Sequence, residues 1–201
     1  AKNFYLMMLH NENRPWKLEN APVEALFNEY FSGGNMNSIV FSEMRETRAL
    51  AYSARANYAT PSYKDKPESY MTYIISQSDK LKDCVTAFNQ LLDSLPQSPS
   101  LFELCKISLN NTLSSKRVTR NAVITAYLSA QRLGISQDMG EYVYNHLSSV
   151  TLDDMLRFEK ENMANKKHTY VILGDEKSIN FNYLNTVAPV RKLTLKEIFG
   201  Y

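Results

Sequence analysis

The chain has 201 residues, of which 44% are hydrophobic, and its formal net charge is +2. That size and hydrophobic content are sufficient for a core, and we expect one domain over residues 1–201. Because the charges nearly cancel, there is no electrostatic basis for expecting nucleic acid or an anionic membrane surface as a partner. No apolar run has the length of a membrane span. Cys84 and Cys105 fall in apolar helical patterns, which favours buried free thiols over a disulfide.

The first predicted elements are a strand and a helix. Residues 4–9 form a continuous apolar run, which predicts a central strand covered on both faces. The chain opens directly into this strand without a signal-peptide pattern. We therefore expect it to be the C-terminal module of a longer protein. The sequence does not indicate the cellular compartment of that protein. Apolar residues at helical spacing then predict a helix from near Ala21: Val23, Leu26, Phe27 and Tyr30. Gly33 and Gly34 are expected to end it, because glycine accepts the left-handed conformation of helix ends.

A second helix and a strand are predicted after the glycines. Met36, Val40 and Met44 give this helix one apolar side, and Arg45 lies in its last turn, where a cation complements the helix dipole. From Leu50 the pattern has period two, which places five side chains on one face of a strand: Leu50, Tyr52, Ala54, Ala56 and Tyr58.

The remaining pattern predicts one more strand beside this one, several helices and a last strand. The strand at Tyr70–Ser76 is expected to form an antiparallel hairpin with the preceding strand. Capping-box patterns are predicted at Ser100, with Glu103, and at Thr151. The other predicted elements are helices at Asp79–Leu92, Ala122–Arg132 and Gly140–Leu147, a strand at Thr169–Leu173 and a terminal turn at Leu195–Phe199. This order predicts an α+β fold, with an antiparallel or mixed β-sheet and helices packed on one face.

The stretch between the first helix and the strand carries a longer motif. It contains Gly33-Gly34, Ser38, Val40-Phe41, Glu43, Arg45-Glu46, Leu50 and Tyr52-Ser53. This pattern resembles the non-catalytic second-half domains of the M16 zinc metallopeptidases, the group of pitrilysin, insulin-degrading enzyme and mitochondrial processing peptidase. The departure is Ala49, where these proteins commonly carry glycine, and alanine fits if φ is negative there. The resemblance covers most of the chain and implies an M16 metallopeptidase-like α+β module.

The chain lacks the residues with which such a peptidase holds its metal. A His-x-x-Glu-His helix places two imidazoles and a general base on one face, and no such run occurs. His10, His146 and His168 each lie in a separate element, where a surface or hydrogen-bonded histidine is the better interpretation. No P-loop and no Gly-x-Ser-x-Gly elbow is present either. We therefore expect no metal and no cofactor in this chain, with zinc in a partner catalytic domain, as the resemblance implies.

Arg45 and Tyr52 are the candidate substrate-binding residues. In the family the second half supplies an arginine and a tyrosine at this spacing, which reach peptide held in the first half. Arg45 offers several donors, and Tyr52 offers a hydroxyl on a rigid ring. Alternatively, Arg45 complements a helix end or pairs with Glu43 or Glu46, and Tyr52 is a core residue. The resemblance implies a domain that closes a clamshell chamber around peptide, with another M16-like domain as its partner.

Two other functions are consistent with the sequence. A purely structural M16-like scaffold would need neither Arg45 nor Tyr52. A self-sufficient metalloenzyme would need ligands scattered along the sequence and would contain stoichiometric zinc.

Overall fold

Four antiparallel strands form the sheet of this domain. The computed structural model describes residues 2–11, 13–33, 38–117 and 119–201. The strands are β1 (Asn3–His10), β2 (Ser53–Ala59), β3 (Ser69–Gln77) and β4 (Thr169–Leu173). Their order across the sheet is β2-β3-β1-β4. The expected hairpin of β2 and β3 is therefore confirmed, and so is the interior position of β1.

The helices lie between and after these strands. They are α1 (Ala21–Ser32), α2 (Ile39–Phe41), which continues as a π-helix (Ser42–Thr47), α3 (Leu81–Asp93), α4 (Pro99–Ser115), α5 (Arg120–Leu133), α6 (Met139–Leu147), α7 (Leu152–Asn162), α8 (Phe181–Val187) and α9 (Leu195–Phe199). Side chains from α1, α3 and α7 share one buried cluster with β1 and β3, which confirms the predicted α+β layers. None of the described helices combines the length and the apolar composition that crossing a membrane requires.

The helices cover one face of the sheet. In β1, Phe4, Leu6 and Met8 are fully buried, whereas the alternating Tyr5 is 42% exposed. The expectation that β1 is covered on both faces was wrong, because its apolar run includes residues of the open face. Val171 of β4, which is paired with Met7, is also exposed on that face.

The outer edge of β2 is closed by side chains of α1. The Asn28 amide donates to the Tyr58 carbonyl at 2.9 Å, and its oxygen accepts from the Tyr58 N–H at 2.8 Å. The Ser32 hydroxyl accepts from the Ala56 N–H at 2.9 Å. These bonds replace those that a further strand would make, and they satisfy backbone groups that an edge strand otherwise presents.

Two helix starts test the predicted caps. The capping box at Thr151 is confirmed, with reciprocal hydrogen bonds between Thr151 and Asp154. The box at Ser100 was wrong, because Ser98 is the N-cap and its hydroxyl accepts from the Leu101 N–H at 3.3 Å. Pro99 occupies the first helical position, where its missing N–H costs nothing. Cys84 and Cys105 are buried free thiols, as predicted.

Candidate substrate-binding site

Gly33 ends α1 for a different reason from the one expected. Its φ is −63° and its ψ is 13°, so its backbone is not left-handed. A Cβ at this position would lie 2.5 Å from the carbonyl oxygen of Glu29, which is closer than real Cβ contacts. Glycine is therefore required by close approach to the preceding turn. Gly34, the other predicted turn residue, lies outside the described residues, as does Met36.

The helix after this turn separates a buried face from an exposed one. Val40 and Met44 are fully buried, as their spacing predicted. Phe41 and Arg45 are also four residues apart, and Arg45 is exposed. The Arg45 guanidinium carbon lies 5.1 Å from the centroid of the Phe41 ring, a cation–π contact. The residues around Arg45 are π-helical, with the Arg48 N–H donating to the Glu43 carbonyl at 3.2 Å.

Ala49 is the turning point between this helix and β2. Its φ is +48°, so the condition under which alanine would fit without strain, a negative φ, is not met. The left-handed residue turns the chain so that the N–H groups of Leu50 and Ala51 both donate to the Met44 carbonyl, at 2.9 and 3.2 Å. A Cβ makes this conformation costly, which is the physical reason for glycine at such a site.

Tyr52 follows this turn and projects into solvent. Its backbone N–H donates to the Ile75 carbonyl at 3.1 Å, while the residue is 80% exposed. Tyr58, which was expected to share a face with Tyr52, is 4% exposed. The shared-face prediction was wrong, because β2 begins at Ser53 and the backbone before it is irregular. The exposure of Tyr52 also removes the alternative that it is a core residue.

The turn brings Arg45 and Tyr52 together at the surface. The Arg45 guanidinium carbon lies 6.0 Å from the centroid of the Tyr52 ring. Glu43, a suggested partner of Arg45, instead binds Arg48 at 3.3 Å. Among the described residues no carboxylate forms an ion pair with Arg45. The arrangement therefore presents guanidinium N–H donors and a phenol hydroxyl side by side, which suits a carbonyl or carboxylate acceptor.

The histidines do not assemble a metal centre within the described residues. His10 and His168 lie close together, with ring centroids 5.7 Å apart, a contact that no local pattern indicated. Burial, followed by the charge of His10, lowers the pKa of His168 to about 4. The His146 ring is hydrogen-bonded to the Tyr142 carbonyl at 2.8 Å. No three His, Cys, Asp or Glu side chains of the described chain are grouped so that they could hold a metal ion.

A buried acidic cluster was missed by the sequence analysis. Glu24 of α1 and Glu68, just before β3, are each 2% exposed. The Tyr58 hydroxyl donates to Glu68 at 2.6 Å, and the Trp16 indole N–H donates to Glu24 at 3.3 Å. Burial, followed by the charge of Glu68, raises the pKa of Glu24 to about 8. No local pattern could have indicated this cluster, because its members come from four separate segments. The Arg14 guanidinium, 3.8 Å from Glu68, is the cation beside it.

Comparison with solved structures identifies the fold. No protein-family model and no curated protein matches the sequence. The peptidase M16 inactive domain from Pseudomonas fluorescens is similar, with a TM-score of 0.64 and 17% identity over 86% of this chain and 40% of that one. The inactive peptidase domain of a candidate zinc protease from Bordetella parapertussis has a TM-score of 0.69 and 12% identity, over 86% of this chain and 91% of that one.

A third similar structure is one chain of a larger complex. Complex III2 from Candida albicans contains a chain with a TM-score of 0.62 and 15% identity, over 94% of this chain and 47% of that one. The present chain thus spans less than half of two of these three neighbours. The M16 resemblance is confirmed at the level of the fold: the chain folds as the peptidase M16 inactive domains do.

Proposed function

We propose that this chain is a non-catalytic domain of an M16-type zinc metalloendopeptidase, and that Arg45 and Tyr52 bind its peptide substrate. The contact between these two side chains carries the proposal. They are seven positions apart in the sequence with a left-handed residue between them, yet the Arg45 guanidinium carbon lies 6.0 Å from the centroid of the exposed Tyr52 ring. The fold of inactive M16 domains supports the assignment of the whole chain as one module.

In this proposal the chain provides binding groups and a wall of the reaction chamber. Arg45 donates to a carbonyl or carboxylate of the peptide, while the Tyr52 hydroxyl donates to a neighbouring oxygen. Hydrogen bonds of this kind accelerate a reaction when they strengthen as negative charge develops on the bound oxygen. The partner is another M16-like domain, in the same polypeptide or in a separate subunit. That partner would hold the zinc and perform the hydrolysis.

A structural scaffold is the second candidate function, and the similarity to a chain of complex III2 favours it. In that case the domain would pack against its neighbours without touching peptide. The exposed pair then has no binding role, and its removal leaves peptide turnover unchanged.

Peptide turnover in the complete assembled protein distinguishes the two. We expect Arg45→Ala to lower kcat/KM at least tenfold, and Tyr52→Phe to lower it by a smaller factor, since it removes the hydroxyl alone. Arg120→Ala and Tyr201→Phe are matched controls, because both residues are exposed and lie on other segments. Unchanged kcat/KM in both site variants would establish the scaffold function.

A further inference from the structure

The carbonyl of Leu50 is bound by two side chains from different elements. The Ser76 hydroxyl, at the end of β3, donates to this oxygen, and the Cys84 thiol of α3 donates to it at 3.5 Å. Ser76 is 5% exposed and Cys84 is fully buried. A carbonyl oxygen has two lone pairs, so these two buried donors fill its acceptor capacity.

The peptide unit that contains this carbonyl is held at both ends. Its oxygen, on Leu50, accepts from Ser76 and Cys84, and its N–H, on Ala51, donates to the Met44 carbonyl at 3.2 Å. The orientation of the plane is thereby fixed between the π-helix and the sheet. The next residue along the chain is Tyr52.

The direction of the Tyr52 side chain depends on this backbone. The ring is 80% exposed, so little packing constrains it. Among the described residues, the Arg45 guanidinium lies over the Tyr52 ring, 6.0 Å from its centroid. The backbone fixes the direction of the Tyr52 Cα–Cβ bond and so determines which of the ring's rotamers bring it to Arg45.

We propose that Ser76, assisted by Cys84, is a positioning residue that holds Tyr52 against Arg45 through the Leu50 carbonyl. The inference rests on the proposed function for its purpose, but the contact it predicts can be measured without any substrate. Ser76 contributes the stronger donor, because a hydroxyl is a better hydrogen-bond donor than a thiol.

Nuclear magnetic resonance of the folded chain tests this directly. The protons of the Arg45 side chain are shifted by the ring current of Tyr52, and nuclear Overhauser contacts report their proximity. We expect Ser76→Ala to lose more than half of the contact intensity between Arg45 and Tyr52, while the amide shifts of β1 stay within those of the wild type. Ser76→Thr, which retains the hydroxyl, should retain the contact.

Ser78→Ala is the matched control. The Ser78 hydroxyl also donates to a backbone carbonyl, that of Lys2 at 3.2 Å. Lys2 directly precedes β1, so this bond does not involve the Leu50 carbonyl. If Ser76→Ala does not fold, Cys84→Ala tests the weaker donor and should reduce the contact partially. A full Arg45–Tyr52 contact in folded Ser76→Ala, or in Cys84→Ala if the serine variant does not fold, would overturn the positioning role.

Peptide turnover in the assembled protein separates this inference from the proposed function. A lost contact together with at least a threefold lower kcat/KM in Ser76→Ala supports both. A lost contact with unchanged turnover leaves the positioning role standing and counts against peptide binding by Tyr52.

Discussion

Glu24 lies within reach of the charge of Glu68 inside the domain, where each residue is 2% exposed. Two neighbouring carboxylates repel one another, and burial penalises their charged forms further. A proton held on Glu24 reduces that penalty, because a neutral carboxyl is neither repelled by Glu68 nor penalised as a charge by burial. Its raised pKa, of about 8, follows from this arrangement.

Stability should therefore fall as the pH rises through the neutral range. Glu24 has an ordinary pKa of 4.5 when the chain is unfolded and about 8 when it is folded. The folded state binds the proton more tightly, so its contribution is complete below the unfolded pKa and is lost as pH rises through the folded pKa. Each pKa unit corresponds to about 1.4 kcal/mol, so we expect a change of a few kcal/mol in the free energy of unfolding.

Urea unfolding at a series of pH values measures this change. Glu24→Gln keeps the shape of the side chain but cannot ionise, so its unfolding free energy should vary much less with pH. Glu103→Gln, at an exposed position of α4, is the control and should retain the wild-type slope. An equal pH dependence in wild type and Glu24→Gln would refute the raised pKa of Glu24.

Ala49→Gly should stabilise the chain. The φ of +48° places the Ala49 Cβ against its own backbone, at a cost of about 1–2 kcal/mol. Glycine removes that strain but increases the entropy of the unfolded chain, so we expect a net gain of about 0.5–1 kcal/mol in denaturant unfolding. Ala122→Gly, at an exposed position of α5, should instead lose about 1 kcal/mol. A loss in both variants would show that Ala49 is not strained in solution.

Asn28→Ala should destabilise the edge of the sheet. It removes both hydrogen bonds to the Tyr58 backbone, each worth about 1 kcal/mol, so we expect a loss of about 2 kcal/mol in the free energy of unfolding. Asn28→Asp retains the acceptor and loses the donor, and its loss should be intermediate. The control Asn185→Ala removes one exposed hydrogen bond to the Phe181 carbonyl. It should lower the free energy of unfolding by less than about 0.5 kcal/mol.

The sequence was informative where a pattern is local. Helical spacing identified α1 and the buried Val40 and Met44, and Thr151 identified its capping box. The exposed position of Tyr52 was not predictable from alternation, because a single left-handed residue before it displaced the start of the strand. Asn28 and Glu24 were missed for another reason. Each has an ordinary helix sequence around it, and its role depends on a partner thirty or more residues away.

The short helix α8 was missed as well. It contains two asparagines and a threonine among its seven residues, which conceals the buried Leu184. Asn180 caps it by accepting from the Tyr183 N–H at 3.0 Å. Side-chain capping after a polar loop, rather than hydrophobic periodicity, was the available signal.

Helix α5 has no buried residue, although it carries Val123, Ile124, Tyr127 and Leu128. Its C-terminal end is attached through the Arg132 carbonyl, which accepts from the Lys64 N–H at 3.0 Å. A helix of fourteen residues gains little stability in water without tertiary packing. Its amide protons should consequently exchange with deuterium long before those of β1 and β3, and opening of this segment should occur without global unfolding.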